Sequence, residues 1–369
     1  MKLSLGKTNH RQVCSMLKLI YRNPGINRKQ LGEALCIDRA MVTHIYNYLV
    51  EQGWLIEQES AMKRLPLVLN YNKIIAAGVE LQPEYQVLVI SNLKGDILFE
   101  KKFRDTIKNP FDFIKNRVIP ILEESKYAVF ALGIAIPGII ISDENKILRS
   151  VPFELTSTIT IDNTISVCGK DIPVFIDNDV RCWGWGKVSF DKENGPFLVM
   201  RQHFIENQED STQFSRIAGG SAFFQNSRPS TGAHGCAGEL PGIFRLNDYK
   251  SLHVSEDCRK VMMTNREYML KYLNNMALCI SYFSNTFDVS KTFVSGFENI
   301  DVDYLQKKTM EYISEYQFYP ELQNMDIIFC DNNPYEVALG ACGFVFDTLI
   351  VNPCESESVV SLLFPKTTD

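Results

Sequence analysis

The run Ile172-Pro173-Val174-Phe175-Ile176-Asp177-Asn178-Asp179 decides the fold class of this chain of 369 residues. Its five apolar residues predict a buried strand, and the three polar residues mark the carboxyl end of that strand. In open α/β sheets, ligands bind in the crevice outside the carboxyl ends of the strands. The run therefore predicts an α/β domain with a ligand site at Asn178 and Asp179. A cap for the following helix is the alternative use of the same polar residues.

The segment before this run alternates between strand and helix patterns. An antiparallel meander is predicted at 74–79, 86–90 and 97–99, with the turn Lys94-Gly95-Asp96 between its last two strands. A helix over 110–125 then leads to an apolar strand over 128–136, which ends at Pro137-Gly138. This order favours a sheet covered by helices, with Gly138 at the same strand-end crevice as Asn178.

A second α/β unit is predicted in the C-terminal half. It combines a hairpin at Ala218-Gly219-Gly220-Ser221 with a helix over 268–287, a strand over 292–295 and a closing helix over 335–346. Between them, glycines are dense from Gly232 to Glu239, which lets the backbone approach a ligand closely. Glu239 can then accept hydrogen bonds from ligand hydroxyls, unless it is only a carboxylate of a surface loop.

The first fifty residues have the pattern of a helix-turn-helix. A first helix ends at Asn23-Pro24-Gly25, Asn27 caps a helix over 28–35, and Asp38 caps a third helix. The third helix buries Val42, Ile45, Tyr46 and Leu49 and presents a polar face. That face contains side chains able to reach base edges in the major groove: Arg39, Thr43, His44 and Asn47.

Two short strands after the third helix predict a β-hairpin wing. They cover 53–57 and 65–69, and Lys63-Arg64 lies at the tip, where Arg64 can reach a phosphate or the minor groove. Small three-helix units also serve as protein-interaction domains. The charge distribution favours DNA, because residues 1–73 carry a net charge of +6 and the remainder carries −12.

The composition excludes several classes of protein. A net charge of −6 argues against coating nucleic acid along the whole surface, and 45% hydrophobic residues are ordinary for a globular chain. The longest apolar run, 128–141, is too short to span a bilayer, and the first residues lack the apolar region of a secretory signal. The ten cysteines include no C-x-x-C pair, which fits thiols in a reducing compartment. We expect a cytoplasmic protein with no membrane partner.

Five short motifs follow the N-terminal helical unit in a fixed order: Pro137-Gly138, Asp177-Asn178-Asp179, Gly232-x-x-Gly235-x-Ala237-Gly238-Glu239, Ser295-Gly296 and Ala338-Leu339-Gly340-Ala341. Together with the winged helix, this set resembles the ROK family (repressor, open reading frame, kinase), in particular its repressor branch for xylose-type and N-acetylglucosamine-type regulation. The resemblance implies a winged helix-turn-helix followed by two actin-like, ribonuclease-H-like α/β lobes, and self-association as a homodimer or homotetramer.

The resemblance also implies a domain division and a sugar site between the lobes. We expect a DNA-binding domain at 1–70, a first lobe at 74–187 that is rejoined by 347–369, and a second lobe at 188–346. In the family's kinases, a residue that matches Asp179 is the base toward a sugar hydroxyl. Asn178 and Glu239 match residues that hydrogen-bond the sugar.

Two departures from the family pattern argue against kinase activity. The first phosphate loop is replaced by Glu80-Leu81-Gln82-Pro83-Glu84-Tyr85, which has no glycine, lacks one backbone donor at Pro83 and carries two carboxylates. The zinc site is lost, because Gly242 stands where the family has a histidine and Cys258 is isolated. We therefore expect no catalytic residue, no metal and no cofactor.

The region after Asp179 is also unusual for the family. Arg181 stands where the family usually has asparagine, and Trp183 and Trp185 follow it. His234 takes the place of a small polar residue in the glycine-rich loop. These changes predict either a pocket remodelled for an acidic or phosphorylated sugar, or simply core tryptophans and a surface arginine.

The leading hypothesis is a sequence-specific DNA-binding regulator that represses carbohydrate-metabolism genes and is gated by a sugar or sugar derivative. Double-stranded operator DNA and a small carbohydrate effector are then its partners. The alternatives are a sugar kinase with an appended interaction module, and a regulator that has lost its effector.

Overall fold

The computed structural model describes residues 7–57, 67–206, 210, 214–239, 264–297, 300–317, 319, 324–331, 333–351 and 363–364. They form a helical N-terminal head and an α/β body with two large sheets. The expected fold class, a helix-turn-helix unit followed by two α/β lobes, is confirmed. Of the helices in these ranges, none is long and apolar enough to cross a membrane. The domain boundaries stay a prediction.

The head contains three helices and a short antiparallel strand pair: α1 (Lys7–Arg22), α2 (Arg28–Leu35), α3 (Arg39–Glu51), β1 (Leu55–Glu57) and β2 (Leu67–Leu69). The predicted caps are present. The Asn27 side chain accepts from Gln30 N while the Gln30 side chain accepts from Asn27 N, and Asp38 accepts from Met41 N. The wing tip, with Lys63 and Arg64, lies outside the described residues.

The first lobe is built on a six-stranded sheet. Its strands and those of a small flanking sheet are β3 (Ile75–Leu81), β4 (Gln86–Asn92), β5 (Ile97–Phe103), β6 (Ala131–Ile136), β7 (Ile139–Ile141), β8 (Lys146–Arg149), β9 (Ile159–Thr160), β10 (Thr164–Val167) and β11 (Lys170–Asn178). The large sheet has the order β10-β11-β6-β3-β4-β5, and the small one β7-β8-β9. The predicted meander is β3-β4-β5. Because β6 and β11 are parallel with Ile136 opposite Asn178, Gly138 and Asn178 share one sheet edge.

The helix predicted over 110–125 contains a wide turn. It consists of α4 (Pro110–Phe113), a π-helical turn (Ile114–Val118) and α5 (Ile119–Glu124). Pro120 lacks a backbone N–H and its ring crowds the carbonyl four residues earlier. A π-helical turn just before the proline accommodates this without ending the helix.

The second lobe has a five-stranded sheet of order β14-β13-β12-β15-β16. After helix α6 (Asp179–Ser189), its elements are β12 (Phe197–Glu206), β13 (Phe214–Gln225), β14 (Arg228–Pro229), α7 (Arg266–Thr286), β15 (Lys291–Ser295), α8 (Val302–Tyr316), β16 (Asp326–Phe329) and α9 (Glu336–Phe346). The predicted helix over 268–287, strand over 292–295 and closing helix over 335–346 agree with α7, β15 and α9 within about two residues.

Helix α9 packs unusually closely on the first sheet and on α6. A Cβ at Gly78 of β3 would lie 1.9 Å from the carbonyl oxygen of Ala338, and one at Gly340 would lie 1.9 Å from that of Cys182. Gly133 of β6 approaches Ala341 in the same way, at 2.4 Å. Glycine is therefore required at these contacts because any side chain would collide with backbone.

The head is attached to the body by a joint between α1, α6 and the segment after α9. Arg22 at the end of α1 forms an ion pair with Asp347, and its Nη1 donates to Val188 O at 3.1 Å. Tyr48 and Trp54 of the head each pack against Phe364 with tilted rings, at a centroid distance of 5.9 Å in both pairs. One continuous apolar cluster therefore runs from the head into the C-terminal part of the body.

The close packing of α9 predicts a clear effect of a single methyl group. Gly78→Ala should destabilise the fold by about 1–3 kcal/mol, because the new Cβ must displace the α9 backbone. Gly195→Ala is the matched control, since a Cβ there meets only Ser290 Oγ at 3.4 Å. Urea unfolding of both variants tests this. Equal midpoints for the two would contradict the assigned packing.

Candidate ligand cleft and candidate DNA-binding face

A cleft of about 170 Å³ lies between the two lobes. The four residues predicted as ligand contacts, Gly138, Asn178, Asp179 and Glu239, all line it although they come from distant parts of the chain. Glu239 is exposed at this cleft, whereas Asp179 is buried. The volume holds on the order of ten water molecules, which suits one small polar ligand.

Asn178 serves the helix that follows it as well as lining the cleft. Its Oδ1 accepts from Val180 N at 2.9 Å and from Arg181 N at 3.2 Å, and its Nδ2 donates to Gly138 O at 3.1 Å. The helix-cap interpretation is therefore correct for Asn178. Its position at the cleft is fixed by these three bonds, which tie α6 to the strand end at Gly138.

Asp179 is held from both lobes. Gln82 Nε2 donates to Asp179 Oδ2 at 2.8 Å, and His203 Nε2 lies 3.8 Å from the same oxygen. Gln82 and His203 both line the cleft, and sequence reasoning assigned neither to it. The available signal was the polar run Arg201-Gln202-His203, which interrupts the apolar pattern of β12.

The stretch that replaces the phosphate loop is a closed, hydrogen-bonded unit. Tyr85 Oη donates to Glu80 Oε1 at 2.9 Å and lies 3.2 Å from His203 Nδ1. Burial raises the pKa of Glu80 and the nearby charge of Asp179 adds to this, whereas Arg201 opposes it. Gln82 N donates to Tyr85 O in a tight turn. Gln82 N is therefore occupied and Pro83 has no N–H, so two backbone groups of this turn cannot donate to a phosphate.

A structural anchor accounts for Arg181 and the two tryptophans. Arg181 is 3% exposed; its Nε donates to Asp177 Oδ1 at 2.6 Å and its Nη2 to Ile140 O at 2.7 Å. Trp185 Nε1 donates to the other Asp177 oxygen at 2.9 Å. Trp183 and Trp185 are core residues, as one alternative predicted. The expectation of a surface arginine was wrong, because Asp177 compensates the buried charge.

The loss of the family's zinc site stays a prediction. Within the ranges that the structure describes, no group of three His, Cys, Asp or Glu side chains could hold a metal ion. Gly242 and Cys258 lie outside those ranges, and a glycine offers no side-chain ligand. His234 is exposed.

The four described residues predicted to contact DNA lie on α3. Arg39 and Asn47 are exposed, and Thr43 and His44 are half-buried beside the apolar stripe. Thr43 Oγ1 donates to Arg39 O at 2.9 Å. Arg64 lies outside the described residues. Sequence reasoning missed Arg28, whose guanidinium stacks 4.2 Å above the Tyr46 ring and adds positive charge beside α3.

Two family models match the chain. The ROK family model matches residues 76–259, and the MarR family model matches residues 12–61. The ROK model begins in β3 and ends within the second lobe, and the MarR model covers most of the helical head.

Similarity to curated proteins covers part of the chain. A xylose repressor of Caldicellulosiruptor bescii is 24% identical over 194 residues, which are 47% of this chain and 48% of that protein. A xylose repressor of Bacillus subtilis is 24% identical over 188 residues, with the same coverage. The chain thus spans about half the length of the curated relatives it matches.

One solved structure is similar over nearly the full length. It is a ROK family transcriptional regulator described as a homologue of the E. coli MLC protein. The TM-score is 0.70 at 16% sequence identity, over 96% of this chain and 100% of that one. This likeness concerns the fold, including the arrangement of the head and the two lobes.

The anchor role of Arg181 predicts a stability effect. Arg181→Met should destabilise the fold by about 3–5 kcal/mol, because the Asp177 carboxylate is left buried without its cation. Arg149→Met is the control, since Arg149 lines the same cleft but is exposed. Unfolding in urea measures both. Wild-type stability of Arg181→Met would show that the residue is not an anchor.

Proposed function

The chain belongs to the ROK family, and on that premise we propose that it is a DNA-binding transcriptional repressor gated by a small carbohydrate. The observation that carries the proposal is the physical connection between cleft and head. Helix α6 begins at the cleft with Asn178 and Asp179 and ends where Arg22 of the head contacts Val188. Such a regulator acts in the cytoplasm on double-stranded operator DNA.

DNA binding is supported by the head. Its α3 presents Arg39, Thr43, His44 and Asn47 on one side, while the opposite side is buried. A net charge of +6 in residues 1–73 supplies the attraction to phosphate, and from the sequence we propose Arg64 as a further DNA contact. Two copies of the chain with two-fold symmetry would read a palindrome, so we propose a homodimer or a larger symmetric assembly.

Effector binding is supported by the polar groups of the cleft. Asp179 and Glu239 offer carboxylate oxygens, and His203 and the Asn178 amide add further polar contacts on a mostly apolar surface. Hydroxyl groups of a sugar can both donate to carboxylates and accept from amides, so this set suits a small carbohydrate. Gly138 is required in one wall of the cleft, because a Cβ there would lie 2.4 Å from Arg149 O.

The gate is the joint between α6 and the head. The eleven residues of α6 span ~16 Å and form a rigid connection between the two sites. An effector that binds more tightly to one orientation of α6 shifts the position of Arg22 and with it the DNA-binding face. The size of the change in operator affinity is then set by how differently the effector binds the two orientations of α6.

A regulator without kinase activity is supported by the closed 80–85 stretch. The alternative, a sugar kinase with an appended head, is favoured only by Asp179 at the cleft. A coupled assay for sugar-dependent ADP production distinguishes the two, since the repressor should give none. Production that is abolished in Asp179→Asn would establish the kinase. A thermal-stability screen with sugars and sugar phosphates addresses the other alternative, a regulator that has lost its effector.

Operator binding should depend on α3. Arg39→Ala should weaken binding to the operator by roughly 1–3 kcal/mol if Arg39 contacts a base. Arg117→Ala removes the same charge from an exposed position of the body and should leave binding unchanged. Gel shifts on DNA upstream of the chain's own gene, at two salt concentrations, measure both. Unchanged binding by Arg39→Ala would remove this residue from the interface.

The effector response should depend on the Arg22–Asp347 ion pair. Arg22→Met should bind operator but lose most of the change in affinity that the effector causes, because α6 no longer holds α1. Arg11→Met, an exposed change on the same helix, is the control. Gel shifts with and without effector measure the ratio of the two operator affinities. A wild-type ratio in Arg22→Met would contradict the proposed gate.

The same joint predicts a pH dependence. Burial raises the pKa of Asp347 to about 6, while Arg22 opposes the rise. The carboxylate is therefore charged above that pH and becomes neutral as the pH falls through it, so the ion pair is lost in acid. The wild-type effector response should weaken from pH 7 to pH 5, which lie about 1 unit above and below this pKa. Asp347→Asn should give a weak response at both values, and a pH-dependent response in that variant would contradict the assignment.

A further inference from the structure

A second cavity lies on the far side of His203 from the ligand cleft. It has a volume of about 270 Å³ and is bounded by β4, β5, β12 and the segment that follows β15. His203 lines both this cavity and the cleft, and the Oη of Tyr85, which lines this cavity, is 3.2 Å from His203 Nδ1. The proposed repressor function assigns no role to this space.

The charged side chains that line the second cavity, among the described residues, are all positively charged. Among its described lining residues, the charged side chains are Lys102, Arg104 and Arg201, and His203 adds a charge when protonated. Lys102 and Arg104 are exposed at the mouth, and Lys102 Nζ lies 4.7 Å from the Tyr335 ring centroid. A cavity walled by cations attracts anions, most strongly where the surrounding protein excludes water.

Arg201 lines this cavity and faces the buried Glu80 carboxylate as an ion pair. Its side chain is 9% exposed, and the nearest carboxylate oxygen, Glu80 Oε1, is 3.8 Å from Nη2, beyond hydrogen-bond distance. Within the part of the chain that the structure describes, the Arg201 side chain makes no hydrogen bond. Glu80 Oε1 instead accepts from Tyr85, and burial raises the pKa of Glu80 while the charge of Arg201 opposes the rise.

A buried guanidinium in this state is suited to an oxyanion. Its N–H groups form a planar fork that matches two oxygens of a phosphate or carboxylate, and such bonds are short and strong. Three positive charges around one cavity favour a ligand with two negative charges over a ligand with a single carboxylate. The neighbouring turn at Gln82-Pro83 adds little for a triphosphate, because Gln82 N already donates to Tyr85 O and Pro83 has no N–H.

We propose that the second cavity binds a small phosphate monoester, with the Arg201 guanidinium on the phosphoryl oxygens and with Lys102 and Arg104 at the mouth. This ligand is additional to the carbohydrate of the cleft. His203 borders both spaces, so it is the contact through which the two ligands sense each other.

Calorimetric titration of the full chain with glycerol 3-phosphate tests the proposal, with glycerol, lactate and ATP as comparison ligands. Glycerol 3-phosphate should bind, and the two non-phosphorylated compounds should not. The double variant Lys102→Met/Arg104→Met should weaken binding about tenfold by removing two charges at the mouth. Lys101→Met is the matched control, because Lys101 is exposed on the same strand but does not line the cavity.

Arg201→Lys keeps the buried charge but loses the fork, and should weaken binding more than the mouth variant while the protein stays folded. Equal affinity in wild type, Arg201→Lys and the mouth variant would overturn the proposal, and so would tighter binding of ATP than of glycerol 3-phosphate. Neither DNA nor sugar is present in this titration. A negative titration would therefore contradict the anion site without contradicting the proposed repressor function. A failure to bind operator would contradict the repressor function without contradicting the anion site.

Discussion

The packing of α9 is the constraint on which the rest of the structure depends. Gly78, Gly133 and Gly340 let backbone meet backbone where α9 crosses β3, β6 and α6. This contact fixes α6 relative to the first sheet, and so it fixes Asp179 at the cleft. Because Asp347 follows α9 directly, the same packing also sets the position of the residue that holds the head. Cleft and head are therefore placed by one interaction.

The stretch that replaces the phosphate loop changes the shape and the charge of the space between the lobes. Glu80 and Tyr85 fill the region with a hydrogen-bonded unit whose pKa values are raised by burial. This unit divides the interior into a cleft with carboxylates and a second cavity with cations. Asp179 accepts a hydrogen bond from Gln82, so the residue that the resemblance matches to a catalytic base is part of a hydrogen-bonded network. A rigid divide of this kind suits ligand sensing better than group transfer.

The head is firmly joined to the body, which matters for any regulation. A flexible linker would leave the orientation of α3 independent of the cleft. Here Arg22 is bound by both Asp347 and Val188, and Phe364 packs against Trp54 in a shared apolar cluster. A change at either end of α6 must therefore be accommodated by the joint. Packed interfaces of this kind switch between discrete arrangements instead of deforming continuously.

Local pattern determined the elements and much of the cleft. Asn27 and Asp38 cap the helices as predicted, and the parallel pairing of β6 and β11 brings Gly138 beside Asn178, because strand ends of one sheet share an edge. Tertiary structure alone decided the rest. Gln82 meets Asp179 across 97 residues of chain, and Tyr85 meets His203 across 118. Arg201 lies 3.8 Å from Glu80, and Tyr48 of the head packs against Phe364. Periodicity and capping act within a few residues, whereas such long-range pairing arises only when α9 and the two sheets are packed together.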